Sequence, residues 1–167
     1  MVSLKKNQSG FTIVELLIVI VIIGILAGLV MSTFVGVQQK ARNSERQTDI
    51  NTISGQLEAY YAKNSGYPAL ADISGTSAGD TFRAANEIRL GDGNKALADP
   101  SAPTITTLGT TAPNSVGGAY SYEPLPTSCV SPTTSTGAPR TGTFCTSYTL
   151  TAFMEGSTPK YVKKSAN

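Results

Sequence analysis

Residues 10–37 read GFTIVELLIVIVIIGILAGLVMSTFVGV, an apolar run whose only charged side chain is Glu15. The 22 residues after it, 16–37, carry no charge. At about 1.5 Å per residue they form a helix of roughly 33 Å, enough to cross a hydrocarbon core of ~30 Å. A buried core helix is the alternative, but such helices are rarely apolar on every side over this length. The run therefore predicts a membrane-spanning helix.

A short polar leader, MVSLKKNQSG, precedes the run and contains Lys5 and Lys6. Basic flanks favour the cytoplasmic side of a membrane. Charge alone leaves the orientation open, because three basic side chains follow the span as closely: Lys40, Arg42 and Arg46. The leader favours an N-terminus inside the cell.

The one obvious small-residue cleavage site, Ser9-Gly10, lies before the apolar core, whereas an ordinary secretory signal is cut after it. Cleavage after Gly10 would release the leader and leave the helix on the mature chain. Removing Lys5 and Lys6 from the thirteen basic side chains leaves eleven, against eleven acidic ones. A neutral mature chain gives no support for nucleic-acid binding through bulk charge.

Glu15 needs a partner, because a carboxylate inside a membrane helix costs about 2.5 to 3.5 kcal/mol on insertion scales. Cleavage after Gly10 would create a cation, the new amine on Phe11. That amine lies four residues back on the same helix face, at the positive end of the helix dipole. It could come from the same chain or from a neighbour. A position of Glu15 at headgroup level is the alternative.

These residues carry a family resemblance. Two lysines, then GFTIVE over residues 10–15, then a long apolar helix resemble the class III leader of type IV pilins and the related pseudopilins. Residues 60–68, YYAKNSGYP, are similar to a second pattern of the same families. The resemblance implies a membrane prepilin peptidase that cuts between Gly10 and Phe11 and N-methylates Phe11. It also implies that Glu15 pairs with the amine of an adjacent subunit.

The implied fold class is α+β, the type IV pilin fold: a long N-terminal helix whose C-terminal half packs on a small antiparallel β-sheet head. We expect a cleaved leader (1–10), a transmembrane or filament-core helix (11–37) and a head (38–167). The head divides into an amphipathic helix (38–63), an αβ loop (64–118) and a sheet with a disulfide-bounded region (119–167). One continuous helix over about 11–63 is expected, with a break at Gly36 as the alternative.

Apolar side chains recur at steps of three, four and three on the second half of the helix: Ile50, Ile53, Leu57 and Tyr60. This stripe predicts packing against the sheet. Four polar residues are placed off the stripe: Arg46, Asp49, Gln56 and Glu58. Beyond it we predict one short helix, TFRAANEIRL, capped by Asp80 and ended by Gly91. Three strands are predicted: 119–123, 148–154 with residues 148, 150, 152 and 154 on the buried face, and one around Tyr161 and Val162.

Cys129 and Cys145 are the only cysteines, and both lie on the predicted outer side, where thiols tend to oxidise. A disulfide closing their 15 intervening residues would stabilise the head by roughly 3 kcal/mol in the chain-entropy model. Two free thiols are the alternative. The loop resembles the disulfide-bounded C-terminal region of many pilins.

Gly24 and Gly28 form a G-x-x-x-G pattern, a weak signal for close packing of membrane helices. Many pilins carry a helix-breaking proline in this region, and this chain has none. We hypothesise that any unwinding during assembly depends on the low helix propensity of these two glycines.

The remaining features give little chemistry. The chain has no histidine and no tryptophan, so no histidine-dependent catalysis, no cofactor and no metal is expected. An oxygen-rich turn, Asp92-Gly93-Asn94 with Asp99, is too common a pattern to predict calcium. A basic cluster near the C-terminus favours a solvated tail over a DNA or surface contact: Lys160, Lys163 and Lys164.

The resulting expectation is a structural subunit of a type IV pilus, used for adhesion, motility or DNA uptake. The alternatives are a pseudopilin of a type II secretion system and a head that binds DNA or surfaces. Expected partners are identical subunits in a helical filament, the prepilin peptidase, the pilus assembly platform and the membrane before assembly. Nucleic acid is not supported by charge. The expected location is the cytoplasmic membrane, single pass with the N-terminus inside, and then an extracellular pilus.

Overall fold

The computed structural model describes residues 10–75, 77–156 and 160–167, so the leader residues 1–9 lie outside the described part. The chain divides into two compact units, Met1–Gln38 and Gln39–Asn167. The long helix α1 is assigned over Ile13–Asn64, 52 residues, and continues through Gly36, where a break was the alternative. The predicted bounds, about 11–63, are within two residues of those observed.

Among the described residues, nothing covers the apolar side chains of the first unit. The large hydrophobic residues between Phe11 and Val37 have exposed fractions from 48 to 85 %. By length and composition, α1 is the one helix in the described chain that could cross a membrane.

The described part of the head contains three short helices after α1. They are α2 (Leu70–Ile73), α3 (Ser77–Ala85) and a 3-10 segment (Asp92–Leu97). The prediction of a helix capped by Asp80 and ended by Gly91 is wrong at both ends. Asp80 lies inside α3 and pairs with Arg83 three residues on, so its carboxylate is engaged within the helix.

Three antiparallel strands in the order β1-β2-β3 form the sheet: β1 (Ser121–Leu125), β2 (Ser147–Phe153) and β3 (Lys160–Lys164). The strands are the predicted ones, displaced by one or two residues at their ends. On β2 the predicted inner positions are buried, with Leu150 and Ala152 fully inaccessible. The opposite face is not simply open, because Thr151 and its cross-strand partner Ser121 are also buried.

The apolar stripe of α1 joins the sheet in one core, as predicted. Ile50, Ile53 and Leu57 are fully buried, and Tyr60 is 2 % exposed. A hydrogen bond of 2.9 Å between Ser54 Oγ and the hydroxyl of Tyr148 links the helix to β2. Tyrosines supply much of the remaining core: Tyr67, Tyr120, Tyr122 and Tyr148.

Arg46 was placed off the stripe, and this prediction is wrong. It lies four residues before Ile50 and is fully buried, so it continues the same helix face. Its guanidinium donates to both carboxylate oxygens of Asp99, at 2.6 and 3.0 Å, and to Glu155 at 2.9 Å. Asn43 Oδ1 and Ser101 Oγ accept its other two N–H groups. All five guanidinium donors are thus satisfied inside the protein.

Asp49 is also buried instead of facing solvent, with 9 % of its surface exposed. The hydroxyl of Tyr120 donates to its Oδ2 at 2.9 Å. Burial raises the pKa of Asp49 from 3.8 to about 6, against the lowering effect of that hydrogen bond. The head therefore contains a carboxyl group whose pKa lies well above the usual range of an aspartate.

Candidate assembly site

The N-terminal end of α1 contains the residues predicted to act in processing and assembly. Gly10 and Phe11 precede the helix in irregular backbone, and the ring of Phe11 is 83 % exposed. In the uncleaved chain the nitrogen of Phe11 belongs to a peptide bond. The predicted cation therefore requires cleavage after Gly10, which remains a prediction.

Thr12 caps the helix, and the sequence reasoning missed it. Its hydroxyl accepts a hydrogen bond from the backbone N–H of Glu15 at 3.2 Å. Glu15 Oε2 in turn accepts from the backbone N–H of Thr12 at 2.9 Å and from its hydroxyl at 2.7 Å. This reciprocal pair is a capping box, and its signal, T-x-x-E before an apolar run, was present in the sequence.

The capping box points the carboxylate of Glu15 toward the start of the helix. Oε2 takes both bonds from Thr12, while Oε1 accepts none from the described residues. A carboxylate in this place lies beside the positive end of the helix dipole and keeps one oxygen for an external donor. The arrangement can accept an amine, which is the chemistry predicted for Glu15 and Phe11.

Gly24 and Gly28 lie in uninterrupted helix, and a Cβ at either position would meet no described atom within 4 Å beyond the adjacent residues and the surrounding helix backbone. Their role in flexibility is a property of the assembled filament, so it stays a hypothesis. Small residues at these positions leave room for a close approach by another helix.

In the head, Cys129 and Cys145 form a disulfide with their Cα atoms 5.0 Å apart. Asp99, considered with the oxygen-rich turn, binds Arg46 through both oxygens. The described residues contain no group of three or more histidine, cysteine or acidic side chains suited to a metal ion. The basic cluster expected in a solvated tail instead occupies strand β3, where Lys160 and Lys164 are exposed.

A capped apolar helix with a single carboxylate in its first turn, together with a small α+β head built on a three-stranded antiparallel sheet, makes a pilin-like fold. The family model for the prokaryotic N-terminal methylation motif matches residues 5–31. Residues 5–31 thus carry the N-terminal methylation motif of class III signal prepilins, the group to which type IV pilins and type II secretion pseudopilins belong.

Among curated proteins the chain is similar to type II secretion system core protein G of several bacteria. It is 40 % identical to the protein of Dickeya chrysanthemi over 65 residues, which are 39 % of this chain and 42 % of that protein. The match to the Aeromonas hydrophila protein is 42 % over 64 residues, 38 % of this chain and 45 % of that protein. The match to the Pseudomonas aeruginosa protein is 37 % identical over 65 residues, which are 39 % of this chain and 46 % of that protein. The chain thus spans less than half the length of these relatives, and no solved structure matches it.

Proposed function

We propose that this chain is a structural subunit of a secretion pseudopilus, a filament of pseudopilins assembled from the membrane. The similarity to type II secretion core proteins supports this reading over the type IV pilus subunit expected from the sequence. The observation that carries it is Glu15, the one charged residue of the exposed apolar run 10–37, held at the helix start with one carboxylate oxygen open among the described residues. The proposed role is structural, not catalytic.

The proposed mechanism begins in the membrane. α1 anchors the chain with its N-terminus inside, the prepilin peptidase removes residues 1–10, and Phe11 becomes a methylated terminal amine. During assembly, the apolar side chains of α1 leave the lipid and pack against the helices of neighbouring subunits in a bundle. An unpaired carboxylate is costly in such a low-dielectric bundle, so pairing Glu15 with the amine of an adjacent subunit selects one stagger of the helices.

A type IV pilus subunit is the second candidate. The Cys129–Cys145 disulfide favours it, because the region it closes resembles the disulfide-bounded region of many pilins. Adhesion, twitching motility and DNA uptake would follow only from this candidate.

Glu15→Ala tests the assembly role directly. We expect the variant to enter the membrane as well as the wild type does, since it loses a charge from the span, and to yield no filaments. Glu87→Ala is the matched control, because it removes an exposed acid of the head whose side chain is 68 % accessible. Cross-linking and electron microscopy of sheared filaments provide the measurement. A normal filament yield for Glu15→Ala contradicts the proposal.

Deleting the coding sequence in the native cell separates the two candidates. If the chain is a pseudopilus subunit, the deletion should remove exported proteins from the medium and leave long surface fibres unaffected. Loss of long fibres labelled by an antibody to the head, with normal export, favours the pilus subunit. Mass spectrometry of the mature chain tests processing: its first residue should be Phe11, with one added methyl group.

A further inference from the structure

Strand β3 lies at the edge of the sheet, with β2 on one side and no strand of the described chain on the other. Such an edge presents backbone donors and acceptors to any strand that can pair with it. Three of its five residues are lysines. Which of them face the open side follows from the hydrogen bonding of the neighbouring strands.

Opposed residues in antiparallel strands alternate between pairs that exchange backbone hydrogen bonds and pairs that point these groups away from each other. The N–H of Tyr122 on β1 donates to Gly109 O at 3.0 Å, which is away from β2. Its partner Leu150 therefore directs its own backbone groups to β3, where it is paired with Lys163. A bond of 3.1 Å from the N–H of Ser165 to the carbonyl oxygen of Tyr148 agrees with this alternation.

It follows that Tyr161 and Lys163 face β2, whereas Lys160, Val162 and Lys164 direct their backbone groups to the open edge. These three amides and carbonyls have no hydrogen-bond partner among the described residues. The same three residues are exposed, Val162 by 49 %. The edge thus combines free strand-pairing groups with two outward lysines that flank an apolar residue.

The charges on this strand are not neutralised within the described chain. No acidic group lies within ion-pair distance of the three lysines, and Lys163 Nζ donates to the amide oxygen of Asn51 at 3.1 Å. By contrast, six other basic side chains of the head are paired with acids: Arg42, Arg46, Lys63, Arg83, Lys95 and Arg140.

We propose that the open edge of β3 binds an extended acidic segment of another polypeptide by strand addition. A second copy of β3 is a poor partner, because antiparallel pairing would oppose lysines with lysines. A nucleic acid could use the ammonium groups but not the alternating donors and acceptors. The partner pattern is acid-x-apolar-x-acid, with the two acids opposite Lys160 and Lys164 and the apolar side chain opposite Val162.

Peptide binding to the full chain in detergent micelles tests this inference. The probe is a capped, fluorescent peptide with Glu-Thr-Val-Thr-Glu at its centre, compared with the same peptide N-methylated at the valine amide and with a single-stranded oligonucleotide. Lys160→Glu with Lys164→Glu should weaken peptide binding by about tenfold or more, since two attractive cross-strand pairs become repulsive. The matched control, Lys40→Glu with Arg89→Glu, makes the same charge change at exposed positions elsewhere and should bind as the wild type does.

Amide hydrogen exchange gives a readout that charge alone would not move. Peptide binding should slow exchange at Lys160, Val162 and Lys164, while Tyr161 and Lys163 are already protected by β2 in the free protein. Three results overturn the proposal: equal binding by the N-methylated peptide, equal weakening in both double variants, or unchanged exchange at the three edge amides. Tighter binding of the oligonucleotide than of the peptide also overturns it and identifies β3 as a polyanion surface.

Discussion

The two units of the chain differ in whether their apolar side chains are exposed or buried. In the first, Met1–Gln38, the described apolar side chains are exposed and the only acidic group, Glu15, is bonded within its own helical turn. In the second, Gln39–Asn167, tyrosines and aliphatic side chains form a closed core, and even a buried arginine has all its donors matched.

The difference shows where this chain depends on other molecules. A head whose buried polar side chains are matched among the described residues, apart from the hydroxyl of Ser121, can keep its structure in water. An exposed apolar helix requires lipid or other helices around it. We therefore expect contacts with other molecules mainly in the first unit and, in the second, where backbone groups lack a hydrogen-bond partner among the described residues, as at the β3 edge.

The largest expected effect is at Arg46. Replacing it by methionine leaves Asp99, which is 1 % exposed, as a buried charge without its partner. We expect a loss of about 3 to 5 kcal/mol in the free energy of unfolding. Urea unfolding of the full chain in micelles, followed by near-UV circular dichroism, measures it. All seven tyrosines follow residue 38, so the tyrosine part of this signal reports on the head.

Two variants check the cause of that loss. Arg89→Met removes an exposed arginine with no ion pair in the described chain and should change stability by less than about 0.5 kcal/mol. Adding Asp99→Leu to Arg46→Met should restore much of the loss, because the uncompensated charge disappears. If the double variant stays as unstable as the single one, packing and not charge explains the effect.

The next largest effect is expected from removing the disulfide. Replacing Cys129 and Cys145 by alanine should lower the free energy of unfolding by about 3 kcal/mol in the chain-entropy model, because the unfolded chain regains the freedom of the closed loop. Cys145 also orders the chain locally, since its carbonyl accepts from the N–H of Tyr67 at 2.7 Å. Reducing the wild-type protein should give a similar loss. Unchanged stability in both cases would show that the loop is ordered without the bond.

A pH-dependent effect is expected at Asp49. The unfolded chain loses this proton near pH 3.8 and the folded head keeps it until about pH 6, so the folded state binds more protons in between. Stability should therefore fall as pH rises from about 4 to above 6, by at most about 3 kcal/mol. Asp49→Asn should remove this fall and be more stable than the wild type at pH 8. Parallel pH profiles for the two proteins would contradict the assignment.

The titration of Glu155 changes the stability of the head in the opposite direction, and the same pH profile would show it. Two hydrogen bonds from Arg42, and after them one from Arg46, lower its pKa from 4.5 to about 2. Its contribution is present above pH 4.5 and is lost as pH falls toward 2. The stability of the wild-type head should thus be greatest in mildly acidic solution, between the two titrations.

The sequence predicted the features that repeat or that obey a length rule. The apolar run, the stripe from Ile50 to Tyr60 and the three strands depend on local pattern, and the structure has them all. The sequence could not predict the full set of partners of Arg46, because the two acids that pair with it, Asp99 and Glu155, lie 53 and 109 residues further along the chain. The burial of Arg46 itself was within reach, since its spacing from Ile50 continues the stripe.

The smallest expected effect concerns the polar contact that the first unit does satisfy by itself. Thr12→Val keeps the shape of the side chain but removes the hydroxyl, so the N–H of Glu15 loses its acceptor and Oε2 loses one of two donors. The first turn should weaken by about 1 kcal/mol, which corresponds to roughly fivefold faster exchange of the Glu15 amide in micelles. Thr12→Ser keeps the hydroxyl and should exchange like the wild type. If valine and serine exchange alike, the capping box contributes nothing, and the first unit depends on its surroundings for polar groups as much as for apolar ones.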